Sequence, residues 1–217
     1  MTTNNWRWRL AQAAEIRWWK RYLGKQDWNS YLARKKGYWK KILDQTGAWP
    51  SPGLRVLDAG CGPAGVFTIL DEYQTDAIDP LLDQYLAELP GFCPQDYPWV
   101  RFKTMTLEGL PQIQQYDYIF CLNAINHVQD IHLSLDNLAN ALKTSGKLLL
   151  TVDAHRFKML KVLFQQLPGD ILHPQQYDMQ DYCRLLETRG MRITTTIVLK
   201  PGRIFDYIAI YAEKPPS

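Results

Sequence analysis

The sequence predicts an α/β protein built on an open, mostly parallel sheet, and three observations lead to that class. Arg55-Val56-Leu57-Asp58-Ala59-Gly60-Cys61-Gly62-Pro63-Ala64-Gly65 carries a short apolar strand into a turn with glycines at 60, 62 and 65, the pattern of a nucleotide-cofactor loop. From there on, β-branched and apolar runs alternate with segments of helical spacing, as βαβ units do. Near the C-terminus, strands over 191–199 and 204–212 are separated only by Lys200-Pro201-Gly202-Arg203, which implies an antiparallel hairpin.

The elements follow in order. Residues 6–23 read as a helix closed by Gly24, with Trp8, Ile16, Trp18, Trp19, Tyr22 and Leu23 on one broad face and Arg9, Arg17, Lys20 and Arg21 opposite. Asp27 is placed to N-cap a second helix in which Trp28, Tyr31, Leu32, Trp39, Ile42 and Leu43 recur at helical spacing up to Gly47, with Gly37 a possible break. Six of the eight tryptophans lie in this segment, more apolar area than a free helical pair leaves in water, so residues 1–49 are expected to cap the domain of residues 50–217. Pro50-Ser51-Pro52-Gly53 is the linker by composition. Beyond the loop, helices are expected over 65–73, 80–89, from Asn126 or Asp130 to 143, and over 178–188.

Composition narrows the function classes. The chain of 217 residues is 46% hydrophobic, contains no apolar run long enough to span a bilayer, and begins with a polar, tryptophan-rich stretch unlike a signal peptide. Cys61, Cys93, Cys121 and Cys183 form no C-x-x-C pair, so neither a metal site nor a disulfide framework is expected, and a cytoplasmic location is. The net charge of +3 conceals +8 in residues 1–45 and −5 in the rest. The basic residues are scattered around the helices, which leaves room for weak membrane-surface contact and disfavours nucleic acid.

Asp58 separates two cofactor classes by electrostatics. A dinucleotide rests its diphosphate on the glycines and the following helix N-terminus, where a carboxylate would repel it. S-adenosylmethionine carries no phosphate; its sulfonium, amine and ribose hydroxyls welcome an acceptor there. With its acid at the end of strand one followed by G-x-G, the chain resembles the class I S-adenosylmethionine-dependent methyltransferases. The resemblance continues through Thr75-Asp76-Ala77-Ile78-Asp79-Pro80, Met105-Thr106-Leu107-Glu108-Gly109-Leu110-Pro111, Tyr116 to Asn123, and Leu142 to Leu150, which look like strands two to five and their turns. It implies a Rossmann-like fold with a seven-stranded sheet in the order 3-2-1-4-5-7-6, the last strand alone antiparallel. It also implies a cofactor site of Asp58, Gly60, Cys61, Gly62, Asp79, Pro80, Thr106, Leu107, Glu108, Leu122 and Asn123, with Asp79 accepting the ribose hydroxyls. Thr106 stands where the family often carries Asp, so the adenine contact falls to its hydroxyl, to Glu108 or to water.

The methyl acceptor should meet residues after strands four and five together with the cap. Asn126, Asp153 and Asp170 are expected to line its pocket and Trp18 and Trp19 to roof it; His127, His155 and His173 are candidate bases. In the family, a histidine at the position of His127 usually steadies the loop after strand four. Leu122-Asn123-Ala124-Ile125 replaces the Asn-Pro-Pro-aromatic motif of amine-methylating relatives, which argues against a base-flipping enzyme. The expected activity is methyl transfer to a small or medium-sized, apolar or aromatic metabolite. An NAD-dependent oxidoreductase and a non-catalytic cofactor-binding module are the alternatives.

Overall fold

A computed structural model describes residues 5–155 and 177–216, with side chains described from residue 12 onward. Seven strands form one sheet: β1 (Arg55–Ala59), β2 (Gln74–Asp79), β3 (Val100–Thr104), β4 (Tyr116–Leu122), β5 (Leu142–His155), β6 (Arg192–Lys200) and β7 (Phe205–Glu213). Their spatial order is β3-β2-β1-β4-β5-β7-β6, as the resemblance implied. Neighbours from β3 to β5 pair in parallel, whereas β7 runs antiparallel to both β5 and β6.

Five described helices accompany the sheet: α1 (Asn5–Leu23), α2 (Trp28–Thr46), α3 (Leu82–Glu88), α4 (Ile131–Ala141) and α5 (Met179–Glu187). Asp27 caps α2 by accepting the Ser30 N–H, and Gly47 ends it in the left-handed conformation at φ 60°. Gly37 does not divide that helix, because the ladder of α2 continues unbroken through it. Asp130 and Asp178 cap α4 and α5, the latter in a reciprocal capping box with Asp181.

One sequence expectation gives way here. The segment after the glycine loop is not a helix over 65–73 but two 3₁₀ turns, Gly62–Ala64 and Val66–Ile69. Residues 63–70 are all buried, so the run has no polar face on which a regular surface helix could be laid. Strand β5 also outruns its expected end, because five further residues find partners along β7, and this carries Asp153 and His155 into the strand itself.

The core lies on both sheet faces. Leu57, Ile119, Leu148, Leu150, Ile208 and Ile210 pack under α4 and α5, while Val56, Phe120 and Leu149 pack under Trp39, Ile42 and Leu43 of α2. A third cluster joins Ile16 of α1 to Phe67, Leu81, Leu82 and Tyr85. At the N-terminal ends of the strands, the buried Asp76 takes Arg101 at 2.6 and 2.8 Å, Arg55 at 3.2 Å and the Tyr116 hydroxyl at 2.7 Å. That hub ties β1, β2, β3 and β4 together, leaving the opposite strand ends for the site.

Candidate active site

The carboxyl ends of β1, β2, β4 and β5 converge, and two aspartates anchor the loop between the first two. The Gly60 and Cys61 N–H groups both donate to the Ile78 carbonyl, at 2.8 and 3.1 Å, which docks the loop on β2. Asp79 then accepts the Gly62 N–H at 2.9 Å on one oxygen and the Leu81 N–H at 2.8 Å on the other. Asp58 accepts the Phe67 N–H at 3.0 Å. Gly65 makes this possible by close approach: a Cβ there would stand 2.4 Å from the Asp58 carboxylate and 2.5 Å from the Cys61 carbonyl. Gly62 contributes differently, by holding φ at +57°.

Both aspartates are buried, and burial is the chief reason that the Asp58 carboxyl is pushed up to about 7 and that of Asp79 to about 6; Asp79 also raises Asp58 by charge repulsion, against the lowering effect of the loop amides. A third carboxylate joins them from α1. Glu15 is raised to about 7, first by burial and then by the charge of Asp79, while Trp19 and Tyr85 favour its ionised form. Among the described residues one ammonium faces the cluster: Lys35 of α2 lies 4.2 Å from the centre of the Trp39 ring and near Asp58, with burial lowering its pKa to about 8. Trp39 in turn donates its indole N–H to the Ala64 carbonyl at 2.8 Å, fastening α2 to the loop.

The remaining expected cofactor residues sit around this centre with differing freedom. Pro80 is half-buried beside Asp79, and Leu107 and Leu122 are buried. Thr106 caps its own 3₁₀ turn by accepting the Gly109 N–H at 3.2 Å. Glu108 accepts the Gln129 and Asp130 N–H groups at 2.8 and 3.1 Å, so it braces the start of α4. Asn123 ends β4 exposed, at a left-handed φ of 55°, with its N–H donating to the Thr151 carbonyl at 2.8 Å.

Around the ends of β5 and β7 the structure brings together residues that the sequence did not single out. Thr151 and Tyr207 share a 2.7 Å hydroxyl contact, and Tyr38 of α2 reaches Tyr207 with Asp153 nearby, so β5, β7 and α2 present a chain of hydroxyls that no motif announced. Register is what assembles it, since Asp153 lies opposite Tyr207 in the β5–β7 ladder. His155 is 4% exposed, its ring centre 4.4 Å from that of Phe205 and its backbone N–H donating to the Tyr177 carbonyl at 3.0 Å, so the lengthened strand sets it among packed side chains. His127 sits half-buried on the 3₁₀ turn Ile125–His127, beside the fully enclosed Asn126. Trp18 points to solvent, 53% exposed and stacked on Tyr22 at 4.8 Å, whereas Trp19 turns inward toward Tyr85. His173 and Asp170 lie outside the described residues.

Comparison with known proteins agrees with this architecture. A family model described as a methyltransferase domain matches residues 31–196. A ubiquinone biosynthesis O-methyltransferase of Rickettsia bellii is 30% identical over 120 residues, 54% of this chain and 46% of that protein. The Rickettsia felis protein of the same name is 26% identical over 160 residues, 70% of this chain and 65% of its own length. The chain thus spans about half to two thirds of the curated relatives it matches. Among solved structures, YcgJ of Bacillus subtilis superposes with a TM-score of 0.66 at 16% identity, covering 83% of this chain and all of that one. The 1,6-didemethyltoxoflavin-N1-methyltransferase of Burkholderia thailandensis, solved with S-adenosylhomocysteine, gives 0.62 at 15% identity over 94% and 89% of the two chains. The [4+2]-cyclase SpnF gives 0.68 at 14% identity over 84% and 82%, so the shared fold does not by itself settle the reaction. With three quarters of its length matched by the family model and the sheet order of its structural neighbours, this chain belongs to the methyltransferase-domain family and has the fold of the class I S-adenosylmethionine-dependent methyltransferases.

Proposed function

We propose that this protein is an S-adenosylmethionine-dependent methyltransferase of the cytoplasm that modifies a small or medium-sized, apolar or aromatic metabolite. One observation carries the reading: the loop spends its backbone donors on its own carboxylates. A diphosphate needs free N–H groups and the positive end of a helix, but the Gly62 and Phe67 amides are bound to Asp79 and Asp58, and only short 3₁₀ turns follow. Three buried or half-buried carboxylates against one ammonium favour a cationic, hydroxyl-bearing ligand instead. The same balance opposes the NAD reading.

Within this assignment Asp58, Gly60, Cys61, Gly62, Asp79, Pro80, Thr106, Leu107, Glu108, Leu122 and Asn123 hold the cofactor, which when bound supplies an activated methyl group. The protein's task is to align the acceptor atom and shield it from water. Asn123, Thr151, Tyr207 and Tyr38 offer hydrogen bonds to orient a hydroxyl-bearing acceptor, and Asp153 is placed to take up a proton through them. Residues 1–49 serve as a cap on the catalytic domain of residues 50–217. Support for an apolar acceptor comes from the aromatic surroundings and from the relatives' name, which specifies ubiquinone biosynthesis for those proteins.

Calorimetry with S-adenosylmethionine, S-adenosylhomocysteine and NAD tests the cofactor. Incubation with methyl-labelled S-adenosylmethionine and a host small-molecule extract, followed by mass identification of the labelled product, tests the reaction. Binding of NAD in preference to S-adenosylmethionine, or cofactor binding without labelled product, would overturn the proposal.

A further inference from the structure

The outer face of α1 combines two exposed aromatic rings with cations that the fold leaves unpaired. Trp18, which the sequence led us to expect over the acceptor, instead faces out at 53% exposure. Tyr22, one turn on and 40% exposed, stacks on it with ring centres 4.8 Å apart and planes within 7° of each other. Arg17 and Arg21 repeat the same one-turn spacing beside them, both exposed, and Lys25 follows just beyond the helix. Among the described residues none of these three cations enters an ion pair or a side-chain hydrogen bond. Lys20 differs, because it turns toward α3 and pairs with Glu88 at 2.6 Å. The one acid of residues 12–23, Glu15, is half-buried next to the enclosed Ile16, so the outer face is free of negative charge.

Aromatic rings edged by guanidiniums suit one kind of surface. Trp and Tyr settle at headgroup depth in a bilayer, with the ring body in apolar surroundings and the N–H or O–H in the wet layer. Each cation near an anionic leaflet strengthens binding by roughly fivefold. The charge of +8 in residues 1–45 against −5 in the rest of the chain turns this end of the molecule toward a negative surface. A second copy paired by two-fold symmetry would set Arg17 and Arg21 against their own equivalents. A nucleic acid asks for rings open to stacking and a continuous basic track, whereas Trp18 spends one face on Tyr22 and the acidic body extends no such track.

We infer that the outer face of α1, Trp18 and Tyr22 with Arg17, Arg21 and Lys25, docks the protein on an anionic lipid surface. The attachment is shallow and reversible. Two aromatic side chains enter the headgroup layer, while Ile16 and Trp19 keep the apolar side of the helix packed against Tyr85 of α3.

The full chain is sedimented with phosphatidylcholine vesicles, neutral or containing about 30% phosphatidylglycerol, at about 0.1 M and about 0.5 M salt. Wild type is compared with Trp18→Ala and with the double variant Arg17→Gln/Arg21→Gln. Gln and Ala are good helix formers, and the arginine variant removes no packing contact, so it keeps the test decisive even if Trp18→Ala loosens α1. Wild type should pellet with the anionic vesicles, come off at the higher salt, and stay largely in solution with the neutral ones. The double variant should bind anionic vesicles roughly 25-fold more weakly and Trp18→Ala roughly tenfold more weakly. No pelleting with anionic vesicles, equal pelleting with neutral ones, or wild-type binding by both variants would overturn the inference. So would light scattering that shows a wild-type dimer dissociated by Trp18→Ala, since a second copy would then occupy the face. No cofactor enters this assay, so its outcome is independent of the methyl-transfer assignment.

Discussion

Two glycines of one motif should fail in different ways when given a methyl group. Gly65 has φ −73° and ψ −173°, a conformation open to any residue, so Gly65→Ala carries no backbone strain. Its cost is steric. The new Cβ would sit 2.4 Å from the Asp58 carboxylate and 2.5 Å from the Cys61 carbonyl, where ordinary contact needs more than 3 Å. The carboxylate must retreat by about 1 Å, which breaks its bond to the Phe67 N–H; overpacking at ~1–3 kcal/mol and a lost charge-assisted bond at ~1.5–3 kcal/mol together give about 3–5 kcal/mol. Gly62→Ala meets nothing within 4 Å and only opposes φ +57°, at about 1–2 kcal/mol. For a chain of 217 residues the two variants should melt roughly 10 °C and roughly 4 °C below wild type, respectively. Scanning calorimetry reads this directly, and titration with S-adenosylhomocysteine should show the greater affinity loss in Gly65→Ala. A Gly65→Ala protein melting within 2 °C of wild type, or a Gly62→Ala protein melting as low, would refute the geometric reasoning.

Other consequences concern charge. Asp58, Asp79 and Glu15 all have raised pKa values, so the folded, ligand-free protein holds protons that the unfolded chain releases, and its stability should fall as pH rises from 5 through 7. Melting temperatures between pH 5.5 and 8 should decline accordingly, by an amount worth a few kcal/mol in order of magnitude, and S-adenosylmethionine should restore more at pH 8 than the neutral-sulfur S-adenosylhomocysteine; a flat profile would contradict the carboxylate cluster. Asp76 behaves oppositely. Burial works against its charge, but hydrogen bonds from Arg101, Tyr116 and Arg55 hold its carboxyl below the usual range, so its contribution is lost only as acid protonates it. Asp76→Ala should cost about 1–3 kcal/mol in urea unfolding, chiefly by leaving the enclosed Tyr116 hydroxyl without its acceptor while water solvates the exposed guanidiniums, and affinity for S-adenosylhomocysteine at low temperature stays near wild type. A comparable loss of affinity would place the hub inside the site.

Much of this was legible before any coordinates. The cap Asp27, the hairpin at Lys200-Pro201-Gly202-Arg203 and the loop acids Asp58 and Asp79 each carry a local physical signature, and each stands where that signature put it; of the two starts open to the helix before β5, Asn126 and Asp130, the structure takes Asp130. The 3₁₀ turns after the loop were not legible, because a fully buried apolar run has no periodicity to read. Nor were Glu15, Lys35, Tyr38 and Tyr207. Their meaning comes from neighbours far away in sequence, Asp79, Asp58 and Asp153, and depends on how two N-terminal helices cross the strand ends. Candidate histidines were chosen by residue type, which says nothing of their surroundings: a strand five residues longer than expected sets His155 inside β5 against Phe205.

The amides of Gly62, Leu81 and Phe67 are held by carboxylates of the protein itself. Nothing in that cradle has to be rebuilt on encounter, so loading can proceed without a refolding delay. The rate of loading should therefore rise in proportion to ligand concentration, with no plateau set by rearrangement of that loop.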